Sequence, residues 1–254
     1  MDQQTISALA HGDHPIAAPL SDASVARLLE RALPRAGGRL GGRLLDLGCG
    51  SGEWLLRALS GRPELRADGV DLAVAALERA RVAAAERDGI GDRLTLHQQD
   101  ATEFTASDPY DLVLSVGAAH AFGGLLPTLR AARRHLAPGG SVLVGDGFWE
   151  REPDRATLDA GFAADEFADL ATTVDRVVAD GWLPVYGHVS TLEEWDDYEW
   201  SWTGTLTRWA LDHPDDPGHD DALKAANAHR EAWLRGYRGT LGFVTLVLRR
   251  ADGA

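Results

Sequence analysis

With 254 residues, 44% of them hydrophobic, the chain is long enough for one α/β domain with an elaboration and a full core. Cys49 is its only cysteine, which excludes a disulfide framework and a cysteine metal cluster. The formal net charge of -14 argues against nucleic acid as substrate, since such binding draws on Lys and Arg at phosphates. No apolar run approaches the roughly 20 residues that span a bilayer, and Met1-Asp2-Gln3-Gln4 lacks the basic start of a signal peptide, so a cytoplasmic protein away from membranes is expected. Lys224 is the only lysine, and the bias to Ala, Arg and Gly reads as the codon habit of a high-GC bacterium.

In chain order, residues 1–42 open with a polar stretch, then His11 to Leu20, then a helix capped by Ser21 or Asp22 that runs to about Leu33. Gly37-Gly38 and Gly41-Gly42 loosen the chain before the first strand. That strand, Leu44-Leu45-Asp46-Leu47, enters Gly48-Cys49-Gly50-Ser51-Gly52 and then a helix starting at Glu53-Trp54. Glycines after a buried strand let the backbone approach a ligand, and the next helix presents its free N–H groups there. Such a turn fits the pyrophosphate of a dinucleotide or the smaller S-adenosylmethionine (SAM). The dinucleotide fingerprint is G-x-G-x-x-G, whereas here the spacing is G-x-G-x-G and the third dinucleotide position is Glu53, a poor neighbour for pyrophosphate. Cys49 can be read as a nucleophile or as a small residue that fits the turn.

From Arg43 on, strands alternate with helices, the pattern of a parallel sheet covered on both faces. Arg66 to Asp71 is the second strand. Asp71 lies 19 residues past Gly52, close to the spacing of about 20 at which an acid meets ribose hydroxyls, and it can also cap the helix Ala73 to Arg87. Arg93 to His97 is the third strand, followed by Gln98-Gln99-Asp100-Ala101. Tyr110 to Val116 is the fourth, opening into Gly117-Ala118-Ala119-His120. Leu125 to Leu136 is a helix ended by Pro138-Gly139-Gly140, and Ser141 to Gly145 is the fifth strand. Ligands in such sheets sit beyond the carboxyl ends of the strands, which places His120 well to act as a base or to contact the cofactor.

These motifs resemble the class I SAM-dependent methyltransferases of the small-molecule type: an acid, any residue and G-x-G-x-G at Asp46 to Gly52, an acid ending the second strand, an acid after the third, and Leu136-Ala137-Pro138-Gly139-Gly140-Ser141-Val142-Leu143-Val144. The resemblance spans roughly residues 43–147. It implies SAM as cofactor, held by Asp46, Gly48, Cys49, Gly50 and Gly52, by Asp71 and Leu72, by Asp100 and Ala101 at the adenine, and by Ser115, Gly117 and His120. The implied fold is α/β and doubly wound, a mostly parallel seven-stranded sheet with an antiparallel last strand, helices on both faces, and a C-terminal helical insertion. The segments ahead of the first strand often fold over the cofactor in this family, which places His11, His14 or Leu20 at the pocket, the other reading of His14-Pro15 being an ordinary turn.

Beyond the sheet motifs the composition shifts, with seven of eight tryptophans at or after Trp149. Asp146 and Glu150 follow the fifth strand, where either can orient a substrate or serve as a base. Asp165 to Asp180 reads as a helix, Trp182 to Ser190 as the sixth strand, Ala222 to Tyr237 as a helix and Thr240 to Arg249 as the last strand. Within 191–209, residues Trp195, Tyr198, Trp202, Leu206 and Trp209 share one helical face with Glu199 among them. A charge on such a face needs a partner or a use: Glu199 pairs with an Arg such as Arg208 or holds an acceptor. The loop His213 to Asp220 reads as a solvated turn, and no metal site is assigned.

The sequence therefore predicts a single domain over 1–254, with a cap over 1–42, a SAM-binding half over 43–147 and an acceptor half over 148–254 carrying a helical insertion at about 191–237. Its expected activity is methyl transfer to a small molecule, such as an aromatic natural-product or metabolic intermediate, by a monomer or homodimer. His120, Glu199 and Asp146 are the catalytic candidates, and Trp149, Tyr186, Trp195, Trp200 and Trp202 the walls of the acceptor pocket. The rival readings are a catalytically silent SAM-binding protein and an NAD-dependent oxidoreductase.

Overall fold

The computed structural model describes residues 1–33 and 42–251, so Gly37, Gly38 and Gly41 lie outside the described residues. The chain divides into two compact units. One comprises Ser21–Asp146, Val174–His188 and Val244–Ala254 and contains the body of a seven-stranded sheet. In chain order the strands are β1 Arg43–Leu47, β2 Arg66–Asp71, β3 Leu94–Gln98, β4 Tyr110–Val116, β5 Leu136–Trp149, β6 Trp182–Val189 and β7 Leu241–Arg250. Across the sheet they run β3-β2-β1-β4-β5-β7-β6. β2, β1, β4 and β5 pair in parallel, as do β2 and β3, and β7 is the antiparallel strand, its Ala251 end bonding back to Gly181 before β6.

The central strands are continuous apolar runs because both faces are covered. Leu44, Leu45, Leu47, Leu112, Val113 and Leu114 are fully buried, each contributing about 1.5–3 kcal/mol of burial free energy. Helices α2 Asp22–Ala32, α3 Glu53–Leu59, α4 Val74–Ala85 and α5 Leu125–His135 fill the connections. Ser21 caps α2 through its hydroxyl, which accepts from Ser24 N. β2 and β4 occupy the spans expected from sequence, and β3 starts one residue later because Gly91–Arg93 forms a 3-10 turn.

β5 differs more. The expected break at Pro138-Gly139-Gly140 is absorbed into the strand as a bulge: Tyr110 pairs with Leu136, but Leu112 pairs with Ser141. Gly140 is required there, since a Cβ would stand 3.0 Å from the carbonyl oxygens of Ala137 and Asp111. Arg249 of β7 donates to Gly139 O, so the extra residues still find a partner strand.

The other unit comprises Met1–Leu20, Gly147–Thr173 and Val189–Phe243. It contains α1 Gln3–Ala10, α6 Arg155–Asp159, α8 Leu192–Asp212 and α9 His219–Ala232, the last continued by one π turn at Trp233–Tyr237. Between the two units in sequence, α7 Leu170–Ala179 is shorter than the helix expected from Asp165, because Asp169 caps it by accepting from Thr172 N and Oγ1. α8 starts at a full capping box between Thr191 and Glu194. Ala10, Leu206, Ala210, Ala222 and Ala226 form the core of the helical unit, with Trp202 and Trp209 packed against it. Small residues let α8 and α9 lie close together.

Candidate functional site

The turn after β1 is built from three left-handed glycines, Gly48 (φ 88°), Gly50 (φ 52°) and Gly52 (φ 72°). A Cβ on Gly48 would come within 2.5 Å of the Ala118 methyl, so the turn after β4 presses on the turn after β1. These two strands flank the point where the strand order reverses, the usual place for a ligand in such sheets. Gly50 has open space where a side chain would stand. Val70 O accepts from both Gly48 N and Cys49 N, and Asp71 Oδ2 accepts from Gly50 N at 2.7 Å while Oδ1 accepts from Ala73 N at 2.8 Å. Asp71 thus ties the glycine turn to the start of α4 as well as ending β2.

Asp46 is 2% exposed and its Oδ2 is buried without a hydrogen-bond partner. Burial, and after it the charge of Asp71, pushes the Asp46 carboxyl up to about 7. Neither acid forms an ion pair among the described residues. Cys49 is buried, and desolvation together with the two acids raises its thiol far above its ordinary value, which leaves it neutral and unfit as a nucleophile. Its fit is steric: a Cβ on Gly69 would stand 2.9 Å from Cys49 Sγ. Glu53 is taken up by Arg57 and Arg87 in ion pairs of 2.8 and 3.2 Å.

Of the remaining cofactor candidates, Leu72 is 65% exposed directly after Asp71, an apolar surface a flat ring can cover. Asp100 closes a turn by accepting from Thr102 N and Oγ1 through Oδ1, which holds its carboxyl below the ordinary value, and Ala101 beside it is buried. Gly117 is exposed with φ 79°. Ser115 departs from expectation: it is buried inside β4 and its hydroxyl donates to Leu47 O, a bond between neighbouring strands. His120 sits in the 3-10 turn Ala119–Phe122 with an exposed side chain.

The acceptor candidates are divided between the two units. Asp146 is half-buried on β5, one residue beyond the last pairing with β4. Tyr186 lies under the Arg31 guanidinium, lining a cavity with Asp111 and Ser141 at the amino ends of β4 and β5, away from the rim that carries His120. Trp149 is core: it is edge-on to Phe162 and Phe167, and its Nε1 donates to Ala164 O. Trp202 stacks on His229 at 3.9 Å, and Trp200 is 53% exposed, edge-on to Trp233. Trp195 lines a cavity in the helical unit.

Glu199 is 2% exposed, and its partner is not Arg208, which pairs with Asp13. Tyr237 donates to Oε1 at 2.8 Å and His229 Nε2 lies 2.6 Å from Oε2, so the carboxylate is satisfied within the helical unit. Burial and this carboxylate push the Tyr237 phenol above its ordinary value, keeping it a donor. The π turn is what brings Tyr237 back to α8. His229 and Tyr237 were not legible as partners because the pairing of α8 with α9 is tertiary and leaves no local spacing to read. The N-terminal histidines rest on α8 instead of standing alone: His11 and His14 lie 5.8 and 5.2 Å from the Tyr198 ring, and Leu20 is buried.

A sequence model of the family described as a methyltransferase domain matches residues 45–142, from β1 into β5. Trans-aconitate 2-methyltransferase of Streptomyces avermitilis is 36% identical over 263 residues, covering 95% of this chain and 92% of its own. A SAM-dependent methyltransferase of Thiobacillus denitrificans, solved with S-adenosylhomocysteine, superposes with a TM-score of 0.86 at 26% identity over 98% of this chain and 100% of its own. A second, from Geobacter sulfurreducens and also solved with S-adenosylhomocysteine, shares the fold at a TM-score of 0.86 and 24% identity, over 97% of this chain and 98% of its own. Strand order, glycine turn, paired acids and a relative alignable over nearly the whole length agree, and the chain belongs to the class I SAM-dependent methyltransferases.

Proposed function

We propose that the protein transfers the methyl group of SAM to a small metabolic or natural-product intermediate, with the cofactor seated on the Gly48–Gly52 turn. The observation that carries this reading is the pair Asp46 and Asp71, two acids with no cationic partner among the described residues, one of them with a buried and unsatisfied oxygen. A ligand with an ammonium and a sulfonium supplies the missing charge. Each Asp71 oxygen keeps a lone pair beyond its backbone bond, enough to accept from ribose hydroxyls. Leu72 offers a face for adenine, and Asp100 with the Ala101 amide offers its edge an acceptor and a donor. Gly50 leaves room for the methionine part.

Bound there, SAM supplies a methyl group on a sulfonium that is already a good leaving group. The chain's task is then alignment, an effect worth up to about 7–11 kcal/mol in favourable intramolecular cases. His120, exposed on the turn after β4, can take the proton that an acceptor hydroxyl or amine releases. Glu199 is left out of the chemistry, since both of its oxygens serve His229 and Tyr237. With Trp149 in the core, Trp202 stacked on His229 and Tyr186 elsewhere, little is left of an extended aromatic wall, which favours a compact acceptor. The named acceptor of the Streptomyces relative, trans-aconitate, is of that kind.

The test is incubation with SAM and a panel of carboxylic acids, phenols and amines, read by mass. The reading expects one methyl gained by at least one acceptor together with formation of S-adenosylhomocysteine. Tight SAM binding with no product from any class would favour a silent SAM-binding protein.

A further inference from the structure

We propose that a cavity of about 210 Å³ at the amino end of α8 binds the carboxylate of a small molecule. Its lining includes Glu150, Arg151, Ser190, Leu192, Trp195 and Leu241, all within the helical unit, so the inference does not depend on how SAM is held. Two of these residues carry polar atoms that the fold leaves unsatisfied. Ser190 is 6% exposed and its Oγ has no partner, although its backbone N–H is fixed on Phe243 O. Trp195 Nε1 is likewise buried without a partner. Buried polar groups are nearly always paired, and an indole N–H can only donate. Whatever completes the site must therefore present an acceptor.

The charge of that acceptor follows from the surroundings. Leu192 is the first residue of a 21-residue helix. The capping box ties Thr191 to Glu194, and the first amides of the helix have no acceptor inside it. A helix amino end favours an anion, and here the orphaned Ser190 and Trp195 point to the same occupant. Arg151 is exposed at the edge of the cavity and forms no ion pair among the described residues. Glu150, exposed beside it, disfavours a compact dianion, which narrows the fit to a single carboxylate on a neutral or apolar body against Leu192 and Leu241. The volume lies below the roughly 300–1,000 Å³ of sites that enclose drug-sized ligands, so it holds a fragment or one end of a larger molecule.

The experiment uses the full-length protein with ¹⁵N-labelled tryptophan and no cofactor, the Trp195 indole signal being assigned by Trp195→Phe. Benzoate, acetate and benzamide are titrated in turn. The expected result is a saturable shift of the Trp195 N–H with benzoate, with benzamide binding about tenfold or more weakly, since charge-assisted bonds are the stronger ones. Arg151→Gln and Ser190→Ala should each weaken benzoate about tenfold while the other indole signals stay in place, showing an intact fold. No saturable shift with either carboxylate, or an affinity for benzoate undiminished from the parent protein in both variants, would overturn the proposal. Adding benzoate to a methyl-transfer reaction then identifies the source. Competition with the acceptor assigns the cavity to the acceptor's own carboxylate, and an altered kcat at constant KM assigns it to a separate effector; both keep the site.

Discussion

Asp46 links pH to stability and to ligand binding. Its carboxyl is pushed from 3.8 up to about 7 by burial first and by Asp71 second. Between those values the unfolded chain has lost the proton and the fold keeps it, so stability falls as pH rises through this window and levels off above it. Asp46→Asn removes that slope, and denaturant unfolding near neutral pH should show a gain of at most about 4 kcal/mol. A cationic ligand favours the ionised form, so SAM affinity should rise with pH up to about 7 in the parent protein and stay flat in Asp46→Asn. An unchanged slope in the variant would remove Asp46 from both roles. For His120, rate against pH decides its part. If it is the base, His120→Ala loses about 10²-fold or more in turnover at neutral pH, less as the acceptor ionises unaided, with SAM affinity nearly kept. A fall in SAM affinity at constant turnover would make it a cofactor contact.

At the level of elements, two positions of the glycine turn behave differently under the same change. Gly48→Ala adds a methyl at 2.5 Å from Ala118 on top of left-handed strain and should cost about 2–5 kcal/mol of stability. Gly50→Ala meets no neighbour within 4 Å, costs only about 1–2 kcal/mol of strain, and should show itself mainly as weakened SAM binding. Thermal unfolding beside calorimetry separates them, and equal stability losses would contradict the assignment of space at Gly50. In the helical unit, Glu199→Ala should lose about 3–5 kcal/mol by stranding His229 and Tyr237, whereas a kinetic defect at full stability would return Glu199 to the acceptor.

These contrasts also show what could be read in advance. The strand, glycine turn and helix around Gly48 to Gly52 are local in sequence, so their residues were legible down to the limits of β2 and β4. The stripe on α8 was legible as a face, but not its use, because periodicity fixes which side of a helix is apolar and not which neighbour covers it. Trp149, Tyr186 and Ser115 were misplaced for the same reason. Their positions depend on Phe162 and Phe167, on Arg31, and on Leu47 across the sheet, none of them a sequence neighbour.

On the scale of the whole chain, one unit bears the left-handed glycines and two acids that form no ion pair among the described residues, and the other unit has a polar network closed around Glu199. The central claim is that the first of these binds SAM through Asp71 and the glycine turn. Isothermal titration of the parent protein and Asp71→Ala with SAM, S-adenosylhomocysteine and NADH tests it most directly. The expected result is binding of both adenosyl compounds and none of NADH, with Asp71→Ala weaker by about 1–3 kcal/mol through lost hydrogen bonds to the ribose. Binding of NADH alone, or an Asp71→Ala variant with undiminished affinity for S-adenosylhomocysteine, would contradict it.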